Sequence, residues 1–180
     1  MSTHTDSSVE LVITPPEPFG TVLAERTRCR VTLGVLTQLL AQSKERVVIS
    51  APFLQQGYGL SSGPMATALH AALKRGVTVD VVSTRRSLDT LNVDALRQEA
   101  QGRLRLFCPA ANVTDETRLG SHAKFCVVDG QRAYVGSANL TGPGLSEHLE
   151  IGLLVQGKVA EQIEDLWLYS LEIGIFVFFS

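Results

Sequence analysis

Hydrophobic positions along this chain alternate between a helical and a strand period. In Arg26–Ser43, residues Val31, Val35, Leu36, Leu39 and Leu40 recur at helical spacing and fall on one face, predicting an amphipathic helix. Arg46–Phe53 (RVVISAPF) is a short β-branched run closed by Pro52, which reads as a buried strand. Gly63–Gly76 returns to the helical period, with Pro64 just inside its start and Gly76 at its end. Val77–Ser83 is the next strand, so the order strand, crossover helix, strand predicts parallel pairing through a right-handed crossover. Leu88–Ala100 then reads as a helix and Gly102–Ala110 as a strand. Two further strands, Ala123–Val128 and Arg132–Val135, flank a turn at Asp129-Gly130. Leu149–Gly157 is a last long strand, followed by a helix over Lys158–Glu172.

The predicted fold is α/β: a mixed sheet, parallel first and antiparallel later, flanked by helices in a single domain over residues 21–180. Met1–Gly20 is polar, then Pro-rich, and reads as a flexible or extended arm without the apolar stretch of a secretory signal. The stretch Leu166–Ser180 is the most apolar, but Glu172 and Gly174 interrupt it. Its unbroken part falls short of the roughly 20 residues a membrane span needs. A terminal helix plus strand, or a partner contact, is expected there instead of a membrane anchor.

Composition changes this picture little. The chain has 180 residues, 44% hydrophobic and 19% charged, enough for one core without staples. With a net charge of −2, any grip on a polyanion must be local. The three cysteines, Cys29, Cys108 and Cys126, lack metal-like spacing. Cys108 and Cys126 sit in apolar runs and read as buried reduced thiols, which points to a cytoplasmic location.

The candidate chemistry lies in Ser121–Gly142. His122 and Lys124 are two residues apart, so on a strand their side chains share a face. Gly136-Ser137 precede Asn139, with the glycine allowing close backbone approach and Ser137 and Asn139 offering neutral donors to phosphate oxygens. An imidazole, a fixed positive charge and an amide donor are what metal-free phosphodiester displacement requires. The same residues also fit a solvated strand end and an ordinary turn.

The run HAKFCVVDGQRAYVGSANL carries H-x-K-x4-D-x6-G-S-x-N and resembles the signature of the phospholipase D superfamily at every defined position. The resemblance extends from about Arg26 to Glu172. It implies a covalent phosphohistidine on His122, with Lys124 and Asn139 holding the non-bridging oxygens and Ser137 supporting the network. Glu150, at the start of the following strand, corresponds to a glutamate that would accept a hydrogen bond from the other imidazole nitrogen. His148 stands where many members have asparagine and receives no role. Asp129 belongs to the motif but falls in the hairpin turn, where a structural role is expected. No metal or cofactor is implied.

The mechanism asks for two such imidazoles, whereas the chain holds four histidines (His4, His70, His122, His148) and one motif. Single-motif nucleases of the superfamily solve this as homodimers, with His122 of each copy expected to flank one phosphate. The resemblance therefore implies a nuclease acting on DNA or RNA. Arg85 and Arg86 of STRRS, in a loop expected after a strand end, are available to hold the backbone, and an ordinary solvated loop is the other reading. A phospholipase or phosphatidyl transferase, and a non-catalytic scaffold, are the other readings. The arrangement also resembles the phospholipase-D-like components of antiphage systems, which implies other defence proteins as partners.

Overall fold

The computed structural model describes residues 7–91, 100, 103–115 and 118–179. In chain order the elements are β1 (Val9–Thr14), α1 (Gly20–Thr27), β2 (Arg30–Val31), α2 (Thr32–Gln42), β3 (Arg46–Ser50), α3 (Gly63–Lys74) and β4 (Thr78–Val82). They continue with α4 (Arg85–Asp89), β5 (Leu104–Pro109), β6 (Phe125–Val128), β7 (Arg132–Gly136), a π-helical turn at Pro143–Glu147, β8 (Glu150–Gln156), α5 (Lys158–Glu172) and β9 (Phe176–Phe178). The described strands form one sheet in the order β2-β1-β8-β7-β6-β3-β4-β5-β9. β3, β4 and β5 run parallel, while β6, β7 and β8 are successively antiparallel, so the sheet is mixed as expected.

The strand period of two sorts the core onto two faces. Val47 and Ile49 of β3 pack with Leu36, Leu39, Leu40, Met65 and Leu69 of α2 and α3. Val48, between them, joins Val82, Phe107, Val127, Ala133 and Trp167 under α5. The fully buried Asp80 also lies on the α5 side. Its carboxylate accepts two hydrogen bonds from Arg105, at 2.6 and 2.8 Å, and one from Trp167 Nε1 at 3.0 Å. A buried charge held this way ties α5 to the sheet centre.

Three local expectations are corrected. Val9–Thr14, placed in the N-terminal arm, is a full strand between β8 and β2. Its polar and Pro-rich flanks mask a short apolar run that covers an otherwise open sheet edge. The helix expected over Arg26–Ser43 begins only at Thr32, because Arg28 takes a left-handed φ of 54° and Arg30–Val31 pairs with β1. The segment after β4, expected as a loop, opens with α4, capped by Thr84 Oγ1 accepting from Ser87 N–H at 3.3 Å. Of the helix expected over Leu88–Ala100, residues 92–99 lie outside the described residues.

At the C-terminus, β9 pairs antiparallel with β5, so the apolar tail is a sheet edge following a terminal helix. Among the described residues, no helix is long and apolar enough to cross a membrane. Cys108 and Cys126 are buried free thiols, and burial pushes the Cys126 thiol up to about 12.

Candidate active site

His122 and Lys124 stand immediately before β6, which pairs antiparallel with β3 through Ser50 and Phe125. The site therefore lies beside the C-terminal end of β3, where loops leave a parallel sheet and ligands are usually bound. Ser50 Oγ donates to Ala123 O at 3.0 Å and anchors the segment between the two residues. The ring of Phe53 meets His122 edge-on, with centroids 6.3 Å apart and an interplanar angle of 78°. His122 is otherwise exposed.

Lys124 is buried, and its Nζ lies 3.1 Å from His122 Nδ1, 3.5 Å from Nε2 and 3.1 Å from His122 O. The imidazole and ammonium are thus brought together as expected, although β6 proper starts only at Phe125. Burial lowers the lysine's pKa, and the Glu150 carboxylate partly opposes that shift. A charge held at such a cost has reason to persist where an anion is to be met.

Opposite, Gly136 N–H donates to Lys124 O at 3.1 Å as β7 ends. Ser137 then bridges β7 to β8: its N–H donates to Ile151 O at 3.0 Å, its Oγ accepts from Ile151 N–H at 3.1 Å, and its hydroxyl donates to Glu150. Glu150 therefore meets Ser137, and acts on Lys124 through its charge, where an imidazole partner had been expected. The Asn139 Oδ1 is buried and makes no hydrogen bond among the described residues. Buried polar atoms are rarely left so. A half-turn of the amide exchanges its Oδ1 and NH2, so the side chain can present either an acceptor or a donor at that buried point.

The glycines explain themselves differently from the sequence expectation. A Cβ on Gly136 would sit 2.3 Å from Tyr134 Oη, and one on Gly152, its cross-strand partner, 2.5 Å from Tyr134 Cε2. The buried Tyr134 ring occupies the space over both residues, so Gly136 makes room for a side chain of its own strand. Gly144, in the π-helical turn, would place a Cβ 2.5 Å from Asn139 O, and this close approach fixes the backbone that carries Asn139.

Asp129 does not belong to this constellation. It lies at the other end of β6, about 16 Å away at strand rise. Its carboxylate accepts from the backbone N–H groups of Lys44 (3.0 Å), Glu45 (2.9 Å) and Arg46 (2.9 Å). With Gly130 it takes left-handed φ values of 53° and 61°, the conformation a tight hairpin turn requires.

Arg85 and Arg86 are exposed on α4, at the same end of the sheet as His122. Arg85 reaches Cys108 Sγ at 3.6 Å and stacks on Phe179 at 5.3 Å. His70 sits on α3, and His148 is exposed just ahead of β8. Among the described residues, the ring packed against His122 is that of Phe53. Phe53, Ser50, Tyr134 and Gly144 escaped the sequence reading; only Phe53, in the loop just past a strand end, left a signal there.

The comparisons with known proteins agree with this fold. Residues 36–167 match the family described as cardiolipin synthase, PLD-like domain. The chain is similar to the DISARM protein DrmC of Bacillus paralicheniformis, 26% identical over 156 residues, which cover 84% of this chain and 58% of that protein. It therefore spans less than two thirds of that curated relative. Nuc of Salmonella typhimurium, a phospholipase D family member, shares the fold with a TM-score of 0.64 and 20% identity over 97% of this chain and 99% of its own. NucT of Helicobacter pylori does so at 0.69 and 17%, over 97% and 100%. Phosphatidylserine synthase of Haemophilus influenzae matches at 0.64 and 14%, over 99% of this chain and 41% of its own. The family match runs from α2 into α5 and includes His122, Lys124, Asn139 and Glu150, and by it the chain belongs to the phospholipase-D-like domain family.

Proposed function

We propose that this protein is a metal-independent phosphodiesterase that cleaves nucleic acid through a phosphohistidine on His122, at a site completed by a second copy of the chain. The observation that carries the reading is the meeting of His122 with the buried Lys124 at the strand ends from which the segment carrying Asn139 leaves β7. The neutral His122 imidazole attacks phosphorus, forming a P–N bond as the ester P–O bond breaks. The other copy's imidazolium gives its proton to the leaving oxygen, then takes one from the water that breaks the P–N bond. Lys124 and Asn139 hold the non-bridging oxygens and gain strength as charge builds there. Glu150 and Ser137 fix the wall on which these groups stand.

An uncovered apolar strip supports the pairing of two copies. Leu11, Leu153 and Val135 are in register across β1, β8 and β7, and Val9 and Ile151 extend the same face; all are exposed. The strip begins next to Glu150, and a strip of this kind marks an interaction surface. A second copy seated on this face would pair the two chains, and the two-imidazole mechanism requires that the pairing also bring a second His122 to the site.

Arg85 and Arg86, at the same end of the sheet, support nucleic acid as the substrate. The likeness to the DISARM protein DrmC supports a role in antiphage defence with other defence proteins as partners. The likeness to phosphatidylserine synthase keeps a lipid phosphodiester as the second reading.

The test compares wild type with His122→Asn on bis(4-nitrophenyl) phosphate, plasmid DNA and anionic vesicles, with and without chelator. The expected result is turnover of chromogen and plasmid in chelator, lost by at least about 10⁴-fold in the variant with Tm unchanged. Full turnover by His122→Asn, or a strict requirement for added magnesium, contradicts the mechanism. Vesicle hydrolysis without nicking would move the substrate to lipid.

A further inference from the structure

A cleft lies at the same end of the sheet as His122. Beyond the ends of β4 and β5, it encloses about 410 Å³ and is lined by Thr84, Arg85, Pro109, Thr114, Leu119 and Val177 among others. Its walls are largely apolar, and among the described residues its charged lining group is Arg85. The guanidinium is held from behind: it stacks on the buried Phe179 at 5.3 Å and reaches the buried Cys108 Sγ at 3.6 Å. Phe179 is itself fixed, its N–H donating to Leu106 O at 2.8 Å. A planar cation braced in this way costs little further ordering when a flat ligand arrives.

The cleft is close to the chemistry. Leu119, on its rim, is three residues from His122, so at full extension no more than about 11 Å separates the two. That reach is about one to two nucleotides of an extended strand, whose spacing exceeds the roughly 3.4 Å of a stacked one. A nucleobase fits the lining on each count. It is flat and can stack on a guanidinium, its body suits apolar walls, and its edge can donate to the lone pairs of Thr114 Oγ1, whose own proton goes to Arg118 O at 2.7 Å. A duplex keeps its bases stacked inside and offers none to such a cleft.

We infer that the Arg85 cleft binds one unpaired nucleobase of a strand whose neighbouring phosphate lies at His122, making single-stranded nucleic acid the substrate class. The inference rests on the phosphodiesterase reading for its location, but its test reads binding, which does not depend on turnover. The probes are two fluorescein-labelled 12-residue strands: one of abasic tetrahydrofuran sugars throughout, the other identical but for two adjacent thymidines. Because only the thymidines carry bases, they fix the register. Titrated by anisotropy into His122→Asn protein, the thymidine strand should bind about ten-fold tighter than the abasic strand.

That ratio should fall toward one in His122→Asn with Arg85→Ala. It should also fall with Arg85→Lys, which keeps the charge but loses the stacking plane. Equal affinities for the two strands, or a ratio that survives both Arg85 substitutions, would overturn the cleft assignment. So would vesicles of anionic phospholipid displacing the thymidine strand through Arg85. A base-dependent, Arg85-dependent ratio in a protein whose wild type cleaves nothing would leave the cleft standing and remove the catalytic reading instead.

Discussion

The two ends of the β6–β7 hairpin carry polar residues of one sequence signature and put them to opposite uses. At the turn, Asp129 spends its carboxylate on three backbone amides of the Lys44–Arg46 segment, so an acidic side chain has become a clamp between the hairpin and the start of β3. At the open end, Lys124 is buried beside an imidazole and Asn139 has a buried oxygen without a partner. The difference lies in satisfaction, since buried polar groups are normally paired. The filled set of backbone hydrogen bonds explains Asp129 as structure, whereas at the open end an exposed imidazole beside a buried ammonium serves no such clamp.

Replacing groups at each end should therefore move different observables. After His122 itself, the largest effect is expected from Lys124→Met, which should lower kcat on the chromogen by about 10³-fold. Because burial lowers the lysine's pKa, the folded state is penalised while the ammonium is charged. The methionine should raise Tm at neutral pH, by about 1 kcal/mol in stability. The sign fixes the pH dependence. The penalty is complete below the lowered folded value and lifts as pH rises toward the ordinary 10.5, so the advantage of methionine should shrink over that window. A Tm that falls at neutral pH would mean that Lys124 is a structural group.

Asn139→Ala should cost about 10² in kcat/KM, with Tm unchanged because no hydrogen bond of its Oδ1 is lost. A large fall in Tm would place Asn139 with the structural end. Asp129→Ala should do the reverse, removing about 2 kcal/mol of stability and lowering Tm by about 6 °C, while the folded fraction keeps its kcat. Loss of turnover without loss of Tm would return Asp129 to the site.

The parts of the molecule legible in the sequence were those set by local pattern. Periodicity marked α3, β3, β4, β8 and α5, and the buried face of α2, because each buries one stripe or face along a continuous run. The signature placed His122, Lys124, Ser137, Asn139 and Glu150, and the fold brings them to one edge. What stayed hidden depends on partners far along the chain. The clamp of Asp129 joins residues more than eighty positions apart. Gly136 is glycine because Tyr134 lies over it and over Gly152, a fact of register between β7 and β8. β1 declares itself only once β8 offers an edge, and the break before α2 turns on the single left-handed residue Arg28.

The central claim is that two copies of His122 act on one phosphorus, and subunit mixing tests it most directly. Wild type and His122→Ala are unfolded together, refolded at varied ratios and assayed on the chromogen at constant total protein. If both imidazoles are needed, activity follows the square of the wild-type fraction, so an equal mixture retains about one quarter. Strict proportionality, with about one half retained at that ratio, would show that each chain acts alone and would contradict the account.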